Sequence, residues 1–370
     1  MVRGDRIMER YLIVFKNEVN KELLNKYHAA NIETMKHMKR LCICELKNSD
    51  VENIKNDSEI ESVELDSSDT TDDEEYQITS ETTYAFDLMN IKEFHKEGIK
   101  GEGFKVGVLD TGIQKHENLK ISGGYNAYNS SIPYDADLVS SHGTRVAGVI
   151  ASKGLNNKVL GIAPEVDLYA IRIDDGKGGI NRTLWSAQIK GINWAIENNM
   201  DAINCSFSSA TESQSRREAF EAAHNSGIAI FCSAGNKQPK EDQESYNVVF
   251  PSKYPFVNTC ANITNTKEKY FSSSIGRNIN FANGGTSILS TAIDKENEIS
   301  KNYNKGTGTS YASPATLAIY ILYKQKYGES REKTLQRMSV NAEKLGSDKH
   351  FGAGLPRFPI YNYENIQIRG

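Results

Sequence analysis

Hydrophobic and polar positions divide the chain into two parts separated by an acidic run. In the first part, the apolar runs YLIVF at 11–15 and LCICEL at 41–46 flank an amphipathic stretch at 23–38. A second amphipathic stretch at 51–54 and an apolar run at 60–65 follow. Short apolar runs bounded by amphipathic stretches indicate strands and helices in turn, so we predict a small α+β module of the βαβ type.

The acidic run from Asp66 to Glu75 contains ten residues and no apolar side chain. Because such a run has little apolar surface to bury, we expect a mobile, solvated linker. We therefore predict a small first domain at 1–66, an acidic linker at 67–83 and a larger second domain at 84–370.

The second domain alternates runs of β-branched residues with helical patterns. The runs predicted to be strands are VGVLD at 106–110, VDLYAIRI at 166–173, AINCSF at 202–207 and IAIFCSAGN at 228–236. The helical patterns lie at 142–152, 184–198 and 215–225. This alternation predicts an α/β fold, a doubly wound parallel sheet with helices on both faces. In such a sheet the ligand site lies beyond the carboxyl ends of the strands.

Charge and hydropathy narrow the choice of partners. The net charge of −4 gives no electrostatic reason to expect nucleic acid or an anionic membrane. The apolar run at 11–15 is too short for a secretory signal, and the run at 317–323 fits a buried helix face better than a membrane span. We therefore expect a cytoplasmic protein, with secretion by an unrecognised route left open.

The five cysteines lack C-x-x-C spacing, so neither a disulfide framework nor a zinc site is indicated. Cys42 and Cys44 alternate along a predicted strand and should face the same side as small buried hydrophobic residues.

Three polar residues stand where a strand ends or a helix begins. Asp110 closes VGVLD and precedes a Thr-Gly turn, His142 opens a helix of small residues, and Ser310 begins another helix within GTGTSYASP. A carboxylate, an imidazole and a hydroxyl at such positions suit an orienting acid, a general base and a nucleophile. Each motif alone is equally well explained by turn or capping chemistry.

Together, and in the order Asp, His, Ser, these motifs resemble the signatures of the subtilisin family of serine proteases. VGVLDTGI, SHGTRVAGVIAS, LGIAPEVDLYAIRI, AINCSFS, SAGN, FPSKYP and GTSYASP also occur in the family's order. The resemblance implies a subtilisin-like serine endopeptidase that acts on protein or peptide substrates without a cofactor. It also implies that Asp110, His142 and Ser310 form the catalytic triad and that Asn236 donates to the oxyanion.

The resemblance further implies that a substrate strand lies between two enzyme segments, 175–178 and 206–208, beside a pocket wall at 234–235. The implied substrate-binding residues are Gly176, Lys177, Gly178, Ser206, Phe207, Ser208, Ala234 and Gly235. Ser208 and Ser209 stand where the family usually has glycine, and Lys177 adds a charge near the cleft, so the preferred substrate residue stays open.

Structural calcium is possible, but the family's high-affinity calcium loop is shortened here after Asn157. Lys158 places a cation in that loop, and Asn118 stands where an aspartate ligand is usual. Because calcium prefers several carboxylate or carbonyl oxygens, we expect this site to be absent.

The first domain resembles the inhibitory propeptide of subtilases. This implies a self-processing zymogen that is inhibited by its own N-terminal module and cut between about Ser67 and Thr83. Two alternatives remain: a dedicated peptidase that matures precursor or leader peptides, and a pseudoprotease that serves as a binding scaffold. The intact Asp110, His142, Ser310 and Asn236 argue against the scaffold.

Overall fold

The computed structural model describes residues 8–71, 74–76, 84–176, 182–237 and 247–359. Its N-terminal module contains four strands and two helices. They are β1 (Met8–Phe15), α1 (Lys21–Lys26), β2 (Ala30–Met35), β3 (Met38–Lys47), α2 (Asn48–Lys55) and β4 (Ile60–Leu65). The strands form one sheet in the order β2-β3-β1-β4.

The βαβ interpretation of this module is wrong in two respects. All three strand pairings are antiparallel. The amphipathic stretch at 23–38 divides into the short helix α1 and the strand β2. Helix α1 cannot continue because His28 and Asn31 adopt φ values of 55° and 49°, which a right-handed helix does not contain.

Strands β1 and β3 are covered on both faces. Ile13 packs against α1 and α2 in the core of the module, whereas Leu12 and Val14 face the second domain. Cys42 and Cys44 both lie in the core of the module, as predicted. A strand covered on both faces needs apolar side chains at consecutive positions, which explains the unbroken apolar runs in the sequence.

The rest of the chain begins with two short strands, β5 (Ser68–Thr70) and β6 (Glu74–Tyr76). The helices that follow are α3 (Tyr84–Leu88), α4 (Ile91–Lys96), α5 (His142–Ala151), α6 (Trp185–Glu197), α7 (Gln214–Asn225), α8 (Thr309–Tyr327), α9 (Arg331–Asn341) and α10 (Asp348–Phe351). The strands are β7 (Lys105–Asp110), β8 (Ile121–Asn126), β9 (Asp167–Arg172), β10 (Arg182–Leu184), β11 (Ala202–Cys205), β12 (Ala229–Ser233), β13 (Asn258–Ile263), β14 (Ile279–Gly284), β15 (Ile288–Thr291) and β16 (Tyr303–Thr307).

Seven of these strands form one parallel sheet in the order β14-β13-β12-β11-β7-β9-β8. Helices α5 and α8 pack on one face of the sheet, and α6 and α7 pack on the other. The predicted doubly wound α/β fold is therefore confirmed. The chain runs from β7 to β8 and β9 on one side and then to β11–β14 on the other, so a crevice opens at the carboxyl end of β7.

The N-terminal module docks on α6 and α7 through two carboxylates. Glu64 accepts hydrogen bonds from the backbone N–H of Gln214 at 2.6 Å and from the hydroxyl of Ser213 at 2.7 Å. Asp66 accepts from the N–H and the hydroxyl of Ser186 at 2.9 and 2.5 Å. The first N–H groups of a helix lack partners within the helix and lie at the positive end of its dipole, so both carboxylates act as helix caps.

The expectation of a mobile, solvated linker does not hold for residues 66–71. Strand β5 pairs antiparallel with β10, and Asp69 is only 1% exposed. A bidentate ion pair with Arg216 balances the charge of Asp69, and this long-range contact overrides the polar composition of the run. The remainder of the predicted linker, at 72–73 and 77–83, lies outside the described residues.

The five cysteines are buried and form no disulfide. Within the described ranges, no helix is long and apolar enough to cross a bilayer. Residues 317–323 belong instead to the buried length of α8, as the sequence predicted.

We predict that His116 makes stability fall in acid. Its Nδ1 accepts a hydrogen bond from the N–H of Asn118 at 3.0 Å, and its Nε2 donates to the carbonyl of Asn302 at 2.9 Å, so the ring is held neutral. Burial lowers the pKa of His116 below its ordinary value of 6.5. The unfolded chain binds a proton on this ring near pH 6.5, whereas the folded protein binds it only at a lower pH. The stability that is present above about pH 6.5 is therefore lost as the pH falls toward the lowered pKa.

The free energy of unfolding of His116→Asn, measured by thermal unfolding between about pH 7.5 and about pH 5, should fall less with acid than that of the wild type. His28→Asn is the matched control, because the side chain of His28 is 74% exposed. Identical pH dependence in His116→Asn and the wild type would contradict this assignment.

Candidate active site

Asp110 and His142 meet in a buried hydrogen bond at the crevice. Asp110 is the last residue of β7 and His142 the first of α5, and both side chains are fully buried. Nδ1 of His142 lies 2.7 Å from Oδ1 of Asp110, which also accepts from the N–H of Thr111 at 2.8 Å. Because a carboxylate can only accept, Nδ1 carries the hydrogen and Nε2 is the basic nitrogen.

Glycine permits this close approach of α5 to the strand end. A Cβ on Gly143 would lie 2.3 Å from the carbonyl oxygen of Gly112 and 3.2 Å from Asp110. The N–H of Gly143 donates to the hydroxyl of Thr111 at 3.0 Å, which ties the turn after β7 to the start of α5.

Ser310 is the second residue of α8 and is 2% exposed. Its Oγ lies 3.5 Å from the carbonyl of Ser206, and the Ser206 hydroxyl donates to the carbonyl of Ser310 at 3.0 Å. Ser206 directly follows β11, so these contacts tie the start of α8 to the carboxyl edge of the sheet. The N–H groups of this first helical turn point toward the crevice end of α8.

Asn236 lies beside the same helix start. Its Oδ1 accepts from the N–H and the hydroxyl of Thr309 at 2.8 and 2.9 Å. The N–H of Gly235 donates to the same hydroxyl at 3.2 Å. These bonds identify the oxygen end of the Asn236 amide, so its other end is the NH₂ donor.

The sequence-predicted substrate edge 206–208 contacts the chain's own acidic segment. The N–H of Ser208 donates to the carbonyl of Thr70 at 3.2 Å, and the N–H of Thr70 donates back at 3.4 Å. Phe207 is 1% exposed and its side chain packs in the core, so this residue presents only its backbone to the groove.

The other predicted substrate-binding residues lie on the opposite edge of the groove or directly after β12, except for two outside the described residues. Gly176 adopts φ of 64° at the end of the described part of the opposite edge, and Lys177 and Gly178 lie outside the described residues. Ala234 is fully buried, and its N–H donates to the carbonyl of Cys260 at 3.1 Å. Gly235 has φ of 104°, and a Cβ there would lie 2.8 Å from Val249.

Two strands of the acidic run, β5 and β6, lie on opposite sides of Ser310. On one side β5 lies between β10 and Ser208, antiparallel to both. On the other side β6 pairs antiparallel with β16, and Glu74 lies opposite Thr307, three residues before Ser310. The described residues 68–70 and 74–76 therefore pair with enzyme segments on opposite sides of the nucleophile.

A second charged pair lies beside Asp110. Nε of Arg172 donates to Oδ1 of Asp174 at 2.6 Å, and both side chains are buried. Burial raises the pKa of Asp174 and the nearby charge of Asp110 adds to this, whereas Arg172 opposes the rise. Arg172 thereby balances a second carboxylate close to the Asp110–His142 pair.

The residues that bind Asp69 were not predicted from the sequence, and Arg216 is the most informative of them. Arg216 is fully buried on α7. It occupies the same helix face as Ala219, Phe220 and Ala223, at the spacing i, i+3, i+4 and i+7. An arginine on the apolar face of an amphipathic helix is buried and needs a negative partner, so the sequence pattern could have predicted a buried anion here.

Comparison with known proteins identifies the family. The Subtilase family matches residues 101–354, which is more than half of the chain. The chain belongs to the subtilase family. This match confirms the family that the motifs predicted. Subtilases are serine endopeptidases and need no organic cofactor.

Named relatives extend the comparison. This subtilase is 33% identical to subtilisin DY of Bacillus licheniformis over 274 residues, 74% of the chain and 95% of that protein. It is 30% identical to the minor extracellular protease Epr of Bacillus subtilis over 363 residues, 94% of the chain but 53% of Epr. The chain thus spans about half the length of Epr.

Among solved structures, fervidolysin from Fervidobacterium pennivorans, a keratinolytic enzyme related to subtilisin, matches with a TM-score of 0.77 and 20% identity. The match covers 96% of this chain and 61% of fervidolysin. It shows a shared fold.

The loop expected to lack calcium is closed by Asn118, which is fully buried. Oδ1 of Asn118 accepts from the N–H of Leu155 at 3.0 Å, and Nδ2 donates to the carbonyl of Val159 at 2.8 Å. An aspartate could not make the second bond, and the Val159 carbonyl is directed at the amide. This donor set fits a loop held by hydrogen bonds and does not fit an oxygen cage for calcium.

We therefore predict that a chelator lowers the melting temperature by at most ~2 °C. Asn118→Ala, in contrast, should cost about 1–3 kcal/mol, because it removes the hydrogen bonds of Asn118 to the Leu155 N–H and the Val159 carbonyl. Thermal unfolding with and without chelator measures both effects. A large chelator-induced fall in the wild type would show that another calcium site stabilises the protein.

Proposed function

We propose that this subtilase is a self-processing serine endopeptidase in which Asp110, His142 and Ser310 act as the catalytic triad. The observation that carries the proposal is the buried 2.7 Å bond between His142 and Asp110 at the crevice, with Ser310 at the start of α8 beside Asn236.

In this mechanism Nε2 of His142 takes the proton of Ser310 as Oγ attacks the scissile carbonyl. Asp110 holds the imidazole in the required tautomer and stabilises its cation. An acyl enzyme forms on Ser310, the leaving amine takes the proton from His142, and water then hydrolyses the ester by the same route.

The oxyanion is stabilised by donors at the start of α8. The N–H of Ser310 belongs to the first turn of that helix, and the NH₂ group of Asn236 is the second donor in this proposal. Both donors are fixed before the reaction, since Asn236 is anchored through Thr309. Such preorganised donors act mainly on the charge that develops in the transition state.

The N-terminal module acts as the inhibitor in this proposal. It caps α6 and α7 through Asp66 and Glu64, and β5 and β6 after it pair with enzyme segments on the two sides of Ser310. The match to Epr covers 94% of the chain, more than the predicted catalytic domain alone could supply. A segment paired with both edges of the groove excludes other substrates until it is cut.

Asn236→Ala should lower kcat on denatured casein by roughly a hundredfold or more and change KM little, because the lost donor acts in the transition state. Steady-state kinetics of the purified proteins measure this. Ser310→Ala is the control for background cleavage, and an Asn236→Ala enzyme with wild-type kcat would exclude the oxyanion role.

Self-processing should cut the chain between Thr70, which pairs with Ser208, and Glu74, which lies opposite Thr307. We expect the purified wild type to lose its N-terminal module, whereas Ser310→Ala stays at 370 residues. Intact mass and N-terminal sequencing locate the cut.

The isolated fragment of residues 1–71, added back in excess, should inhibit the processed enzyme. A wild type that is fully active at full length, or a Ser310→Ala chain cut equally fast, would refute the inhibitor role of the module.

A further inference from the structure

Asp69 occupies a pocket whose hydrogen-bond donors all come from the catalytic domain. Arg216 donates through Nη1 to Oδ1 at 3.1 Å and through Nη2 to Oδ2 at 2.6 Å. Nε1 of Trp185 donates to Oδ1 at 2.8 Å, and Nε2 of Gln188 donates to Oδ2 at 3.2 Å. Both carboxylate oxygens thus receive two hydrogen bonds each in a site closed to solvent.

The pocket is built to hold an anion. Arg216 and Gln188 are fully buried and Trp185 is 4% exposed. The guanidinium lies 5.1 Å from the centre of the Trp185 ring, which fixes its plane. A buried arginine without a negative partner is strongly unfavourable, so a peptide segment that covers this pocket binds best when it brings a carboxylate.

The position of Asp69 in the groove is that of a substrate side chain. Thr70, the next residue, makes the paired backbone bonds with Ser208 on one groove edge, and Asp69 itself lies opposite Thr183 of β10 on the other. These bonds use only backbone atoms of the segment, so any extended peptide can make them. The Asp69 side chain is the part of the segment that this pocket recognises.

We propose that Arg216, Trp185 and Gln188 form a specificity subsite that selects substrates with an aspartate at the residue preceding the one paired with Ser208. This inference rests on the proposed function, because it assumes that the groove cleaves peptides that lie as the segment does. The same pocket holds the uncut chain through Asp69 and then receives the aspartate of a substrate. Such a subsite restricts the range of substrates and favours a dedicated maturation peptidase over a general degradative one.

The test measures kcat/KM of the wild-type enzyme on a peptide of residues 66–77 and on its Asp69→Asn form. The amide is isosteric but uncharged and brings its own N–H groups to the donors. We expect the Asp69→Asn peptide to be cut at least about tenfold, and up to about a hundredfold, less efficiently. Denatured casein is the reference substrate, with Ser310→Ala as the blank.

Two enzyme variants assign the discrimination to the pocket. Arg216→Gln should cut the two peptides with nearly equal kcat/KM. Arg217→Gln, the same substitution at the next position of α7, should keep the wild-type ratio, since Arg217 lies over the rings of Tyr254 and Phe256 outside the pocket.

Equal cleavage of both peptides by a wild-type enzyme that cuts casein would overturn the subsite and leave the proposed function standing. Undiminished discrimination by Arg216→Gln would also overturn it. If Arg216→Gln does not fold, the ratio of kcat/KM of the wild-type enzyme for the two peptides still tests the subsite. A wild type that cuts neither casein nor the peptides would refute the proposed function and this inference with it.

Discussion

The buried hydrogen bond between Asp110 and His142 is the constraint on which the rest of the site depends. A carboxylate with no exposure must be paired, and the partner has to arrive on α5, a helix that is itself buried along its whole length. Contact between α5 and the end of β7 is possible because Gly143 has no side chain where it approaches Asp110 and the carbonyl oxygen of Gly112. Backbone packing therefore sets the position of His142, and that position brings its ring within hydrogen-bond distance of Asp110.

The nucleophile is positioned by a similar use of the core. Ser310 stands at the first turn of α8, which is buried from Thr309 to Tyr323 against the sheet and α5. Ser206 and Asn236 then fix the helix start from the ends of two neighbouring strands. Rigid elements on both sides hold the donors and the hydroxyl, which is the arrangement that electrostatic preorganisation requires.

Three acidic side chains at the end of the N-terminal module and just after it bind to the N-terminal ends of α6 and α7. Glu64 and Asp66 cap the helices α7 and α6, and Asp69 pairs with Arg216 from the first turn of α7. Burial raises the pKa of Asp66 and of Asp69, while Ser186 and Arg216 respectively oppose the rise. Each carboxylate thus faces a helix N-terminus or an arginine, and the acidic run serves as a set of specific contacts.

The sequence by itself determined the parallel sheet and the places of Asp110, His142 and Ser310, because strands, helix starts and their polar ends are local patterns. Asn236 was implied only by the resemblance to subtilisins. VGVLD ends at Asp110 and α5 starts at His142 in the structure as the pattern predicted. Tertiary structure decided what composition could not: that residues 66–71 are ordered, that Asp69 is buried, and that Asn118 closes its loop. These outcomes depend on partners such as Arg216, 147 positions away along the chain, and a local pattern carries no information about which distant charge will meet it.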